Sequence, residues 1–190
     1  FGRSKMRVDE QDWLRLVEKA HSLAFVDIEA TGLRGDYNSV LCVSVKPHGL
    51  KPETFLVKQP GNDQGVVVAA KEALEACAGW VTYYGKGFDI PMLNTRLLRW
   101  HRDPIEKRPH IDLYYSLRYS LLMARRSQSH LLSWLETPAQ KMTVGAEEWN
   151  QVLANPSVGL KTMKARCESD VTGLEGLYER TKHLIRTIKN

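Results

Sequence analysis

The spacing of hydrophobic residues changes along the chain, and the changes predict an order of strands and helices. Short apolar runs rich in β-branched residues predict strands at 23–28, 40–45, 54–57 and 80–84. Polar turns at 31–38 and 48–52 separate the first three runs, which predicts an antiparallel meander. The fourth run follows a helical segment at 66–78, so its strand should lie parallel to a neighbour after a crossover.

Helical spacing dominates the rest of the sequence. It predicts a short first helix capped by Asp9, in which Trp13, Leu16, Val17 and Ala20 recur, and later helices at 88–100, 113–125, 129–135 and from about 157 onward. No repeat or linker-like tract divides the chain. We therefore expect a single α/β domain over 1–190, with a mixed sheet flanked by helices. Residues 1–8 are expected to be a disordered arm or an expression remnant.

Composition narrows the classes of protein only slightly. The formal net charge is +5, which is compatible with a nucleic-acid partner and equally with a solvated basic surface. The three cysteines, Cys42, Cys77 and Cys167, are widely spaced in apolar stretches, which is typical of small buried residues in a reducing compartment. No apolar run approaches the roughly 20 residues of a membrane span. We expect a soluble, cytoplasmic protein with no membrane partner.

Two acids stand out in the first strand. Asp27 and Glu29 are two residues apart, and strand alternation directs both side chains to one face. Their mutual repulsion and loss of hydration would be relieved by a hard cation such as Mg²⁺ or Mn²⁺. Alternatively, the strand ends at this point and both acids are solvated.

The segments around these and other acids resemble the motifs of one family. Residues 25–33 read FVDIEATGL, which resembles the first motif of the DEDD (DnaQ-like) 3′→5′ exonuclease superfamily, whose fold is ribonuclease-H-like. Residues 81–93 read VTYYGKGFDIPML and resemble the second motif through Asp89, which could also be a helix N-cap. Tyr84 stands where many relatives carry Asn.

The last motif lies in the C-terminal helix, where residues 167–174 read CESDVTGL. Asp170 borders an apolar stripe that is expected to pack on the sheet, although it could also be a surface acid paired with a neighbouring base. Residues 110–113 read HIDL and resemble a further motif of predicted bacterial and phage exonucleases. Asp112 is either a supporting acid or, as we favour, the cap of the helix that follows.

The resemblance implies the chemistry. Asp27, Glu29, Asp89 and Asp170 would hold two Mg²⁺ or Mn²⁺ ions, one generating a hydroxide and both clamping the scissile phosphate. The protein would then be a metal-dependent 3′→5′ exonuclease that hydrolyses 3′ ends of single-stranded DNA or RNA to nucleoside 5′-monophosphates. DNA and RNA stay equal candidates because no motif addresses the 2′-OH. A general phosphoesterase is a further alternative.

The substrate-binding candidates include one awkward residue. They are Thr31, Gly32, Leu33, Phe88 and Arg166. The family normally carries Tyr or His four residues before the last Asp, or His five before it, to orient or deprotonate water; here those positions hold Arg166 and Ala165. A guanidinium cannot act as a general base. Arg166 could pair with Asp170 and weaken metal binding or could grip the substrate phosphate, so a weakened or inactive nucleic-acid-binding module is the alternative function.

Basic residues after the second motif supply further candidate phosphate contacts, with a solvated basic face as the alternative for each. They are Arg96, Arg99, Arg102, Lys107, Arg108, Arg118, Arg125 and Arg126.

Overall fold

A computed structural model describes residues 22–138, 152 and 154–185. A five-stranded sheet is formed by β1 (Leu23–Ala30), β2 (Val40–Pro47), β3 (Glu53–Leu56), β4 (Gly79–Thr82) and β5 (His110–Asp112). The strand order is β3-β2-β1-β4-β5. The first three strands pair antiparallel, whereas β1–β4 and β4–β5 are parallel. The predicted mixed sheet, with a meander extended by parallel strands, is confirmed.

Helices cover both faces of this sheet. They are α1 (Gln64–Glu75), α2 (Asp89–Arg99), α3 (Leu113–Leu117), α4 (Gln128–Trp134) and α5 (Pro156–Thr181), followed by a 3₁₀ turn at Lys182–Leu184. Within the described ranges, no helix has the length and apolar character needed to cross a bilayer. The predicted arm at 1–8, the first helix at 9–20 and the loop around 145 lie outside the described residues.

Alternation along β1 separates two apolar clusters. Ala24, Val26 and Ile28 belong to one cluster, which contains the buried residues of α1 and α2. Phe25 belongs to the other, with Val81 of β4 and apolar residues of β5, α3, α4 and α5. Since side chains two residues apart share a face, the odd-numbered positions of β1 face the side on which Phe25 packs.

Two predictions of secondary structure were wrong. Residues His110–Asp112 form β5, whereas the sequence predicted no strand there, because three residues are too few to show an alternating pattern. The helix predicted over 113–125 ends at Leu117. Positions 118–120 are exposed, and Leu122 is fully exposed, so no buried face continues to stabilise a helix beyond that point.

A buried ion pair joins the turn between β1 and β2 to α1 and α2. The carboxylate of Asp63, which is fully buried, accepts hydrogen bonds from the Val40 amide (2.8 Å), from Arg96 Nε and Nη2 (2.8 and 3.0 Å) and from Trp100 Nε1 (2.7 Å). Arg96 also donates to the Gly35 carbonyl (3.1 Å). The prediction that Arg96 contacts nucleic acid was therefore wrong, because its guanidinium is committed to Asp63 inside the fold.

The buried histidine of β5 predicts a pH dependence of stability. Burial, with a smaller contribution from the charge of Lys86, lowers the pKa of His110 from 6.5 to about 4. In the unfolded chain, His110 is therefore protonated below about pH 6.5, whereas in the folded chain it is protonated only near pH 4 and below. As the pH falls through this window, the free energy of unfolding should decrease by up to about 3 kcal/mol.

Denaturant titrations near neutral pH and near pH 4 would measure this dependence. A His110→Gln variant is the comparison, because its amide can still bond the Thr82 hydroxyl, which lies 2.8 Å from His110 Nε2, but does not titrate. The variant should show a shallower loss of stability on acidification. Equal slopes for the two proteins would refute the assignment to His110.

Candidate functional site

Three of the four predicted acids meet at one point between β1 and α5. Asp27 and Glu29 extend from β1, and Asp170 extends from α5. One carboxylate oxygen from each lies within 4.8 Å of the others. Glu29 and Asp170 are 6% and 1% exposed, so the cluster holds acidic groups that have lost most of their hydration. We call Asp27, Glu29 and Asp170 the acid cluster.

The apolar stripe of α5 places Asp170 in this cluster. Leu160, Met163, Cys167, Val171 and Leu174 of this stripe are buried, and Tyr178 is half-buried. The Cys167 thiol donates to the Asp27 carbonyl at 3.2 Å. Burial raises the pKa of this thiol well above its ordinary value, so it keeps the proton that it donates. The helix is thereby held against the backbone of β1 beside the cluster.

Asp89 lies in the same cleft but does not belong to the group of three. A cleft of about 730 Å³ is lined by the acid cluster and also by Asp89. Asp89 is 5% exposed and is the first residue of α2, while the N-cap position is Phe88. The structure therefore brings all four predicted acids to one cleft and places Asp89 in the helix, one position after the cap.

Arg166 is bound to the acid cluster. Its Nε lies 2.7 Å from Glu29 Oε1 and 3.8 Å from Asp170 Oδ2. The pairing with Asp170 across one helical turn was one of the two predicted alternatives, whereas the closer contact with Glu29 was not predicted. The guanidinium supplies a fixed positive charge among three carboxylates, where it compensates part of their repulsion.

The predicted substrate-binding residues separate into two groups. Leu33 and Phe88 line the cleft, as does Arg166, and Leu33 is 79% exposed. Thr31 and Gly32 lie outside that lining and close the turn between β1 and β2. The Thr31 hydroxyl accepts from the Ser39 amide at 3.0 Å, and a Cβ at Gly32 would lie 2.5 Å from the Asn38 side chain. Packing within the turn therefore explains the glycine.

Asp112 caps α3, as favoured from the sequence. Its Oδ1 accepts from the amides of Tyr114 (3.1 Å) and Tyr84 (3.0 Å), and its Oδ2 accepts from the Lys86 amide (2.9 Å). The side chain is 2% exposed. One buried carboxylate thus ties the loop before Asp89 to the start of α3, which fixes the wall of the cleft.

Sequence reasoning missed several residues that shape this wall. Tyr83, Tyr84 and Tyr114 line the cleft beside Gln128. Gln128 Nε2 donates to the Asp170 carbonyl at 3.0 Å, and so links α4 to α5 next to the acid cluster. The signal for the tyrosines was present as two doublets that follow neighbouring parallel strands. Gln128 carried no such signal.

The donor set fits a hard divalent cation. The acid cluster offers carboxylate oxygens from two elements, and Asp89 lies in the same cleft. Among the described residues this is the one group of three or more His, Cys, Asp or Glu side chains close enough to share an ion, and it contains neither His nor Cys. Oxygen donors of this kind suit Mg²⁺ or Mn²⁺ better than zinc.

Solved structures share this arrangement of strands and helices. The family B DNA polymerase of the hyperthermophilic archaeon Pyrobaculum calidifontis superposes with a TM-score of 0.65 at 18% identity, over 84% of this chain. The match spans only 24% of the polymerase chain. A nuclease in its apo form superposes with a TM-score of 0.57 at 14% identity, over 93% of this chain and 79% of that one. At these identities the likeness is one of fold.

A family model extends the similarity to sequence. No curated protein sequence matches the chain significantly. The model of the RNase H superfamily matches residues 24–145, which is more than half of the chain. The match includes most of β1, with Asp27 and Glu29, and the start of α2, with Asp89. Together with the mixed sheet and its acids, this match shows that the chain belongs to the RNase H superfamily.

Proposed function

We propose that this protein is a metal-dependent nuclease, and specifically a 3′→5′ exonuclease of the DEDD type acting on single-stranded DNA or RNA. The observation that carries the proposal is the acid cluster, whose oxygens lie within 4.8 Å of one another in a cleft that Asp89 also lines. Buried carboxylates that repel one another are costly to fold. A site that retains them is explained by a cation-dependent reaction.

The comparisons support the nuclease class and not its details. The chain belongs to the RNase H superfamily, and one structure of similar fold is a nuclease. Another is a DNA polymerase. The 3′→5′ direction and the single-stranded substrate rest on the resemblance of the three motifs to the DEDD exonucleases.

The residues of the cleft would bind either the metal ions or the terminal nucleotide. Asp27, Glu29, Asp89 and Asp170 would hold Mg²⁺ or Mn²⁺, and when bound, two such ions acidify water and stabilise charge on a phosphodiester. Leu33 and Phe88 line the cleft and would contact the terminal nucleotide. The product would be a nucleoside 5′-monophosphate.

A second candidate function rests on Arg166. Its Nε lies 2.7 Å from Glu29 Oε1, and a guanidinium at this distance competes with a cation for the carboxylate. If Arg166 keeps the cation from Glu29, the protein would bind nucleic acid without cutting it. Incubation of labelled strands with chelator or with Mn²⁺ separates the two functions, because a pure binder retards strands in both conditions and degrades them in neither.

The need for a 3′ end tests the exonuclease assignment. We would compare hydrolysis of linear single-stranded DNA, the same strand circularised, and the linear strand with a blocked 3′ terminus. An exonuclease of the proposed direction releases mononucleotides only from the unblocked linear strand. Cutting of the circle would show an endonuclease at the same acids, and release from the blocked strand would show the opposite direction.

Replacing Arg166 should change the metal requirement. In an Arg166→Gln variant, Glu29 and Asp170 no longer face a competing cation. We therefore expect half-maximal rate at a Mn²⁺ concentration about 10- to 100-fold lower, since a contact to a charged group contributes about 1.5–3 kcal/mol. Metal titration of the hydrolysis rate measures the change.

Two controls accompany this variant. Arg166→Lys keeps the charge and should stay near the wild-type requirement, and Arg180→Gln removes an exposed charge elsewhere on α5 and should have no effect. If Arg166→Gln instead hydrolyses more slowly at saturating Mn²⁺ and needs the same Mn²⁺ concentration for half-maximal rate, Arg166 does not compete with the metal. That result would favour a role for Arg166 in binding the substrate phosphate. A gain in Arg166→Tyr or Arg166→His would identify the missing water-orienting group, with an upper limit of about 10²- to 10⁴-fold.

A further inference from the structure

Two tyrosine doublets meet at the mouth of the cleft. Tyr83 and Tyr84 directly follow β4, and Tyr114 and Tyr115 follow shortly after β5. Because β4 and β5 are parallel neighbours, their carboxyl ends lie at the same edge of the sheet. The ring centroids are 5.1 Å apart for Tyr84 and Tyr114, 5.2 Å for Tyr114 and Tyr115, and 5.8 Å for Tyr84 and Tyr115. We call Tyr84, Tyr114 and Tyr115 the tyrosine platform.

The platform is an exposed surface that continues from the acid cleft. Tyr84 is 45% exposed and Tyr115 is 40% exposed, and their ring planes are inclined by only 32°. Tyr84 and Tyr114 also line the cleft that contains the acid cluster. A molecule whose reacting end lies at the acids can therefore reach these rings without a break in the surface.

The backbone beneath the platform is held in an unfavourable conformation. Tyr84 has a φ of 67°, in the left-handed region that non-glycine residues seldom adopt. Gly87 leaves room for its ring, since a Cβ there would lie 2.6 Å from Tyr84 Cζ. The carboxylate of Asp112 binds the amides of both Tyr84 and Tyr114. Strain that neighbouring groups impose at a cleft is typical of a functional site.

Two basic residues lie near the platform. Lys86 is exposed on the loop that follows Tyr84, and Arg126 lines the cleft. Aromatic faces bordered by positive charges match the bases and phosphates of a single strand, whose bases stack on such rings irrespective of sequence.

We propose that the tyrosine platform is a base-stacking site for a nucleotide of a single-stranded nucleic acid whose neighbouring residues enter the acid cleft. This inference rests on the proposed function, because it takes the strand to be the ligand of that cleft. Stacking on Tyr84 and Tyr115 gives affinity for single strands with little dependence on sequence. A duplex would not offer an unstacked base to the platform.

The test measures whether the contribution of Tyr115 to binding affinity requires a base on the strand. Fluorescence anisotropy in chelator, where hydrolysis cannot occur, gives the affinity for an oligo-deoxyadenosine of about ten nucleotides and for an abasic strand of equal length. Tyr115→Ala should weaken binding of the adenine strand by about 5- to 100-fold and leave the abasic strand within about twofold. A Tyr115→Trp variant, which keeps an aromatic ring at this position, should bind the adenine strand about as tightly as the wild type.

A matched control and the contrary outcomes complete the test. Tyr119→Ala removes a more exposed ring, 86% exposed, that is outside the platform, and should keep wild-type affinity. Equal losses on both strands, no loss on either, or no binding of the adenine strand by the wild type would overturn the platform.

Failure of the platform and failure of the nuclease are distinguishable. A protein that shows the base-dependent loss in chelator but leaves strands intact in Mn²⁺ retains the platform and lacks the proposed hydrolysis. A protein that shortens strands in Mn²⁺ while Tyr115→Ala binds both strands like the wild type has the activity without the platform.

Discussion

An Asp27→Asn variant is expected to lose metal-dependent hydrolysis by about 10³-fold or more. The substitution keeps the shape of the side chain but removes one negative charge from a group whose oxygens lie within 4.8 Å. A metal ion contributes several kcal/mol to stabilising charge in a phosphoryl-transfer reaction, and about 1.4 kcal/mol corresponds to a factor of ten in rate. Initial rates on a labelled single strand in saturating Mn²⁺ measure the effect.

The folded state should survive this change, which separates a catalytic role from a structural one. Removing one of three neighbouring carboxylates relieves repulsion, so the variant should be at least as stable as the wild type in chelator. Asp103→Asn, at an exposed position, is the matched control and should retain full activity. Hydrolysis by Asp27→Asn at the wild-type rate would contradict the assignment of the acid cluster.

An Asp63→Ala variant should lose about 3–5 kcal/mol of unfolding free energy. The change leaves Arg96, which is 7% exposed, as a charge without its buried partner, and this is the costly way to break an ion pair inside a protein. It also removes the acceptor for Trp100 Nε1 and for the Val40 amide. Chemical denaturation monitored by circular dichroism gives the difference.

An exposed acid provides the comparison for this variant. Asp36→Ala lies in the turn between β1 and β2, where the side chain is exposed, and should change stability by no more than about 0.5 kcal/mol. A double variant, Asp63→Asn with Arg96→Met, should recover part of the loss, because it removes the buried charge together with its partner. Equal stability of Asp63→Ala and the wild type would show that the pair does not hold the turn.

Local pattern, together with the resemblance to the DEDD exonucleases, predicted the acids of the cluster. Asp27 and Glu29 alternate with apolar residues of β1, and Asp170 borders the apolar stripe of a long helix. Each position can be read from residues within a few places along the chain. Strand pairing and helix packing then bring these faces together, so the sequence predicted the meeting of Asp27, Glu29 and Asp170 that the structure shows.

Long-range contacts explain what the sequence could not predict. Asp63 meets Arg96 and Trp100, and its neighbours in the sequence give no sign of these partners. Arg166 pairs with Asp170 across one helical turn, which spacing predicts, but its closer contact is to Glu29 on β1. Such pairs depend on how elements pack after they form, and composition or periodicity does not encode them.

The proposed activity is tested most directly by the fate of a 5′-labelled single strand incubated with the protein in Mn²⁺ and in chelator. A metal-dependent 3′→5′ exonuclease should produce a ladder of progressively shorter labelled strands in Mn²⁺, with unlabelled nucleoside 5′-monophosphates as the other product, and leave the strand intact in chelator. An intact strand in both conditions, or release of the labelled 5′ nucleotide first, would contradict the proposal of a metal-dependent 3′→5′ exonuclease.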